Sequence, residues 1–339
     1  MAKHIGKQTI AFASPPCIMA EAAVVGKKEG QGPLRDRFDR VSNDSYFGEK
    51  SWEKAESKML KECFDLVVSK AAISPRELQY ILAGDLLNQC TGSAFAVRDS
   101  GIPFFGLYGA CSTMGESLSL AAMLIDGGFA GKVCAMTSSH FCSAERQFRL
   151  PLEYGGQRSP TAQWTVTGAG AAILSANGIG PRITHITTGK IVDAGITDGS
   201  NMGAAMAPAA CDSLVAHFRD TGRKPDYYDA VITGDLGSFG HEILAELMAM
   251  EGYKMPKMFS DCGLLIFNVK HQDTHCGGSG CGCAASVLCG HIVKCMREGL
   301  WKRVLFAPTG ALMSPVSSMQ GESIPGICHA LAIEMTEGD

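Results

Sequence analysis

No Cys-x-x-Cys pair occurs in this 339-residue chain, although it holds fourteen cysteines. That missing spacing removes zinc-ribbon and thioredoxin-like readings. No apolar run approaches the roughly 18–20 residues needed to cross a bilayer. Nor does an apolar signal core follow Met1-Ala-Lys-His4. The expectation is a protein made and kept in the cytosol, without a signal peptide or transmembrane helix. Charge is sparse at 19 %, with 30 Lys and Arg against 34 Asp and Glu and a net charge of −4. Basic residues form no stripe and do not interleave with aromatics, which argues against nucleic-acid binding.

What is present is apolar bulk, 46 % of the chain, and forty glycines placed at the ends of periodic segments rather than in linkers. The length suits a duplicated unit of roughly 170 residues per half. Five cysteines, Cys276, Cys281, Cys283, Cys289 and Cys295, sit in and after a Gly-rich turn. They read as small buried residues standing where Ala or Ser would fit. An iron–sulfur or zinc site is the alternative, and the number of cysteines without secretion signals implies a reducing compartment.

One block occurs twice. Pro103 to Ser112 runs into a small-residue helix, the Gly127-Gly128 stop and the strand Lys132-Val-Cys-Ala-Met-Thr-Ser-Ser139. Gly278-Ser-Gly-Cys-Gly-Cys283 runs into a helix, Gly299 and the strand Arg303-Val-Leu-Phe-Ala-Pro-Thr-Gly310. Upstream of each lies a matching strand, Ile81-Leu-Ala-Gly-Asp-Leu86 and Val231-Ile-Thr-Gly-Asp-Leu236. A repeat of this length is one supersecondary plan used twice, not a solenoid. Placing Gly128 on Gly299 puts Cys111 on Gly282, so only the first copy keeps a cysteine where its helix begins. A single site at the junction of two related halves follows from that asymmetry.

Ser51 predicts a helix cap before Trp52 to Ala71, whose Ala55, Met59, Cys63, Leu66 and Val67 share one face. The helices from Cys111 to Asp126 and from 281 to 298 have almost no polar side, which predicts that both are covered all round. Ile183 to Val192 reads as a strand, Gly326 to Ile333 as an apolar stretch and Asn201 to Met206 as a closely packed loop. Gly178-Ile-Gly-Pro181 makes the boundary between residues 1–178 and 179–339. Alternating strands and helices with glycine stops predict an α/β protein with helices on both sheet faces.

A cysteine at the head of a buried helix in a duplicated α/β chain resembles the thiolase fold of condensing enzymes. That resemblance implies five α-β-α-β-α layers built from two halves related by a pseudo-two-fold axis. The whole chain resembles, more specifically, the stage V sporulation protein AD family of spore-forming bacteria. The residues that carry this are Gly6-Lys-Gln-Thr-Ile10, Val24-Val-Gly-Lys-Lys-Glu-Gly30, Ser51-Trp-Glu-Lys-Ala-Glu-Ser57 and Gly84-Asp-Leu-Leu-Asn-Gln89. Further along come Gly106-Leu-Tyr-Gly-Ala-Cys-Ser-Thr113, the run from Ser138 to Arg149, Leu152 to Arg158, Thr161 to Gly168 and Asn201 to Pro208. The resemblance implies a sporulation protein of the SpoVA complex that binds dipicolinic acid, pyridine-2,6-dicarboxylate, for uptake into the forming spore and release at germination. It also implies a homodimer, peripheral association with the forespore inner membrane and partner membrane subunits. No cofactor or metal site is expected, because no carboxylate loop of the EF-hand kind occurs; calcium would arrive with the ligand as its chelate.

Against the enzymes, the second half departs from pattern. Condensation needs a thiolate together with groups that stabilise an enolate and move protons, commonly His with His or Asn. Asp235 stands where ketoacyl-synthase-like relatives carry a histidine, and an ionised carboxylate cannot donate a hydrogen bond. Cys281 replaces the asparagine of the family's helix-start turn. The candidate ligand-binding residues are therefore Cys111, as a vestigial nucleophile position, with Ser138, Ser139, His140, His275, Ser279 and Gly282. Two helix starts, at Cys111 and Gly282, would meet on the dianion, and Arg146 and Arg149 could line its pocket as carboxylate forks or build an internal ion-pair network instead. Asp85 and Asp235 are expected to brace equivalent turns. The rival reading is an acyltransferase with Cys111 as thioester nucleophile and His275 as general base.

Overall fold

The computed structural model describes residues 3–148 and 158–335. Ten strands lie along one hydrogen-bonded path: β1 Cys17–Val25, β2 Tyr80–Gly84, β3 Phe104–Gly106, β4 Lys132–Ser139 and β5 Gly168–Ser175, then β6 Arg182–Thr187, β7 Ala230–Gly234, β8 Phe259–Asp261, β9 Arg303–Ala311 and β10 Ala330–Glu334. Within residues 1–178 the spatial order is β3-β2-β4-β5-β1, and beyond them it is β8-β7-β9-β10-β6. Both orders read 3-2-4-5-1 when strands are counted within each half. The last two members of each half run antiparallel to their neighbours and the others parallel. The halves join where β1 meets β6 at Cys17 and Arg182. Arg297 reinforces that seam by donating to the Ile18 carbonyl at 2.7 Å and pairing with Glu21 at 3.0 Å.

The helices are α1 Trp52–Ala71, α2 Thr91–Val97, α3 Thr113–Asp126, α4 Phe141–Phe148, α5 Met202–Thr221, α6 Gly237–Met250, α7 Cys262–Ile266 and α8 Cys281–Val287. Ser51 caps α1 as expected, its hydroxyl accepting from the Lys54 amide at 3.4 Å. The apolar face of α1 packs on β1, β4 and β5 from outside, and α5 with α6 covers β9 and β10 in the same way. Between the sheets lie α3 and α8, in one core with residues of both halves, including Leu118, Ile232, Val287 and Phe306. The result is five layers, α-β-α-β-α. Gly115 permits a close approach of α3 to the second half; a Cβ there would stand 2.6 Å from the Pro308 ring.

Three local expectations change. The 281–298 helix is not uniform: α8 passes through a π-turn at Leu288–Ile292 before closing as Val293–Arg297. Asn201 to Met206 is not a loop. Asn201 caps α5, and Gly203 packs against the backbone of Gly240, so the close packing is real but helical. The stretch from Gly326 to Ile333 breaks at His329 into two strands.

The π-turn also corrects the register between halves. The residue turning the chain into each central helix has positive φ, Ala110 at 50° and Gly280 at 103°. Each is followed by a cysteine. The structural counterpart of Cys111 is therefore Cys281, not Gly282, and the extra residue of the second copy is taken up in the π-turn.

Candidate functional site

Cys111 closes a chamber of about 40 Å³ between the halves, walled by Tyr108, Glu145, Thr165, Met202, Ser279, Gly280 and Met313 among others. At roughly 10–15 Å³ of such space per water, it has room for a few waters. Cys111 itself is 6 % exposed. Glu145 is buried and accepts from the Thr165 hydroxyl at 2.9 Å. Among the described residues, no Lys, Arg or His lines this chamber.

Of the candidate residues, the chamber gathers Cys111 and Ser279. Gly282 lies one turn behind, where its amide donates to Ser139 Oγ at 3.1 Å. Ser139 in turn donates to the Val166 carbonyl at 2.7 Å. Two neighbouring helix-start amides are also used locally, Cys283 N on Gly280 O at 2.7 Å and Ser112 N on Gly109 O at 3.0 Å. The expectation that Gly282 offers an anion-binding amide is thus corrected, because that amide is taken by Ser139.

Ser138 and His140 face elsewhere. Consecutive side chains alternate across a strand, so Ser138 points to the outer layer and donates to the buried Glu56 at 3.1 Å. His140 Nε2 bonds the Ser45 carbonyl at 2.8 Å, and burial lowers its pKa. His275 sits at φ 50° in a different cavity, of about 690 Å³, with Arg158, Ser238 and Cys276. Its Nδ1 bonds the Ser159 carbonyl at 2.6 Å and its Nε2 lies 3.3 Å from Asp273. That cavity and the Cys111 chamber share no lining residue.

Buried acids surround the junction. Glu56 accepts from Ser138 and, at 2.6 Å, from Ser143. Burial, together with the neighbouring Asp85, pushes its pKa up to about 8. Asp85 braces its loop as expected, accepting from Leu87 N at 2.9 Å and from both N and Oγ of Ser93 at 2.6 Å. In the second half Asp261 performs that bracing, accepting from the amides of Leu236, Gly237 and Gly263. Asp235 instead faces the Cys283 thiol and Gly280 amide, and burial raises its pKa well above the carboxylate range. Cys281, also raised by burial, donates to the Ser138 carbonyl at 2.9 Å.

The roomier feature was missed in the sequence. A groove of about 580 Å³ opens beside the chamber, with Tyr108 and Met313 belonging to both walls. Its other residues come from four segments: Glu53 of α1, Leu87 to Cys90, then Ser143, Arg146 and Gln147 of α4, then Ser314 and Pro315. Gln89 and Cys90 both hold left-handed φ, 60° and 53°. Two such non-glycine residues in succession mark a backbone held by its surroundings, as at ligand-binding walls. The one available signal was Arg146, placed with Arg149 as a carboxylate fork; Arg149 and residues 152–157 lie outside the described residues.

No helix among the described residues is long and apolar enough to cross a membrane, and no group of three or more metal-ligating side chains occurs among them. Likeness to solved structures confirms the thiolase-like fold. The chain resembles 3-oxoacyl-[acyl-carrier-protein] synthase III of Aquifex aeolicus, at 14 % identity over 94 % of this chain and 99 % of that one, with a TM-score of 0.59. It resembles equally the cerulenin-bound OleA of Xanthomonas campestris, at 14 % identity over 96 % and 97 % of the two chains, with a TM-score of 0.61. The family model of stage V sporulation protein AD matches residues 6–334. Stage V sporulation protein AD of Bacillus subtilis strain 168 is 43 % identical over 336 residues, 99 % of each chain. With a match of this extent on a thiolase-like frame, the chain belongs to the stage V sporulation protein AD family.

Proposed function

We propose that this sporulation protein is a non-catalytic receptor for pyridine-2,6-dicarboxylate, held in the groove beside Cys111 rather than on the thiol. One observation carries the reading: the chamber at the nucleophile position is small and has no cationic side chain among its lining residues, whereas the adjoining groove is roomy and holds Arg146. Asn88, Gln89 and Gln147 bring amide donors there, Arg146 a guanidinium and Tyr108 an aromatic wall. A flat dianion needs that combination of directional donors, positive charge and ring contact.

Within this reading the ligand enters as the free acid or its calcium chelate. The receptor works at the forespore inner membrane with the membrane subunits of the SpoVA complex, in uptake and in release at germination. A homodimer is supported by β3, which ends the sheet with Phe105 49 % exposed and one backbone edge unused.

The acyltransferase reading draws on the fold's likeness to condensing enzymes. Its general base, His275, faces the other cavity, which favours the receptor. Calorimetric titration decides. Saturable binding of the 2,6-dicarboxylate but not of pyridine-3,5-dicarboxylate, with no acyl adduct from acetyl-coenzyme A, is the expected result. An adduct on Cys111 with no dicarboxylate heat would overturn it.

A further inference from the structure

Arg146 does not reach into the groove as an unrestrained side chain. Its guanidinium lies 5.3 Å from the Trp52 ring centroid, and Tyr46 stacks on the same Trp52 ring at 5.9 Å. A guanidinium resting on an aromatic face keeps its planar fork oriented at small entropic cost. One of its nitrogens, Nη1, stands 3.5 Å from Glu53 Oε1, with the two side chains 45 % and 38 % exposed. Glu53 and Arg146 both line the groove.

The local sequence builds this pairing. Glu53 and Glu56 are one turn apart on α1, and Ser143 and Arg146 one turn apart on α4, so the two helices meet through two polar contacts at different depths. The deep one, Ser143 to Glu56, is buried and short at 2.6 Å. The outer one, Arg146 to Glu53, is long at 3.5 Å and exposed. A carboxylate held that way is easily replaced, because an exposed ion pair contributes little.

We propose that Arg146 is the carboxylate-recognising group of the groove and that Glu53 is its resident competitor, displaced when a dicarboxylate ligand binds. This rests on the receptor reading above and adds to it the recognition residue and an internal carboxylate that weakens binding in the empty protein. Glu53 sets a threshold: only a ligand offering a better-placed carboxylate, with further contacts to the groove amides, takes the guanidinium from it.

The test is calorimetric titration with pyridine-2,6-dicarboxylate of the wild-type chain, Glu53→Gln, Arg146→Gln, Arg146→Lys and the Glu53→Gln/Arg146→Gln double variant. Thermal unfolding checks that each is folded. Glu53→Gln is expected to tighten binding by up to about fivefold. Arg146→Gln should weaken it about tenfold or more, and Arg146→Lys by less, since charge is kept but the fork is lost. The double variant should match Arg146→Gln, because Glu53 acts only through Arg146. Wild-type binding that is indifferent to Arg146→Gln, or a Glu53→Gln change that weakens binding or does nothing, overturns the proposal and leaves the receptor reading standing. Silence from the wild type overturns both.

Discussion

The hydroxyl of Ser139, last residue of a first-half strand, accepts the amide of Gly282 in the first turn of the second half's central helix, at 3.1 Å. One side chain thereby closes a helix start that would otherwise be an anion site, and ties the halves together across the layer where Cys111 lies.

Removing that hydroxyl should cost stability rather than ligand affinity. Ser139→Ala leaves the buried Gly282 amide and the Val166 carbonyl without their partner. A loss of about 1–3 kcal/mol is expected in urea unfolding. Dicarboxylate binding should stay within about twofold; a much larger loss would return Ser139 to the ligand's contacts.

Gly282 is glycine for reasons of space. A Cβ would stand 2.2 Å from the Gly168 carbonyl oxygen and 2.6 Å from the Ser139 amide, both backbone atoms. Gly282→Ala should therefore destabilise by about 3 kcal/mol or express insolubly. A soluble variant with an unchanged unfolding midpoint would show that the layers have slack there.

Thiol labelling separates receptor from enzyme. Cys90, Cys142 and Cys211 are partly exposed, whereas Cys111 is buried, and none of the fourteen cysteines is in a disulfide. Brief iodoacetamide treatment at neutral pH, read by mass spectrometry, should modify those three before Cys111. Preferential alkylation of Cys111 would mark an activated nucleophile and favour the acyltransferase.

Glu56 makes stability fall with pH. Its folded pKa, about 8, lies above the ordinary 4.5, so the folded state holds its proton while the unfolded chain has lost it. Stability from this group is full below about pH 4.5 and declines as pH rises towards 8. Glu29, raised to about 7, and Asp261, raised to about 6, act in the same direction. Urea unfolding across pH 5 to 8 should show a shallower decline in Glu56→Gln than in the wild type; parallel slopes would mean that the carboxyl is ionised in the fold.

The sequence by itself determined the frame. The doubled strand–helix–strand block, the glycine stops and two helices with no polar side require two equivalent sheets with a shared interior, because such helices are stable only when covered all round. Ser51 before an amphipathic run and Gly127-Gly128 after an apolar one act through near neighbours, and the elements they delimit sit where expected. Register between the copies was less legible, since a π-turn adds one residue without breaking the helix.

Only tertiary structure decided the site. Ser138, Ser139 and His140 are consecutive, yet they bond Glu56 outside the sheet, Gly282 inside it and the Ser45 carbonyl in a loop. Strand alternation sends the two serines to opposite layers, but which layer holds what depends on how the sheet is stacked. His275, expected beside Cys111 from the likeness to condensing enzymes, lies in a left-handed turn and lines another cavity. The groove draws on Glu53, Asn88, Arg146 and Met313, far apart along the chain. No local pattern joins such residues; they meet because two halves fold into sheets of fixed strand order and their loops converge at one end of the central helices.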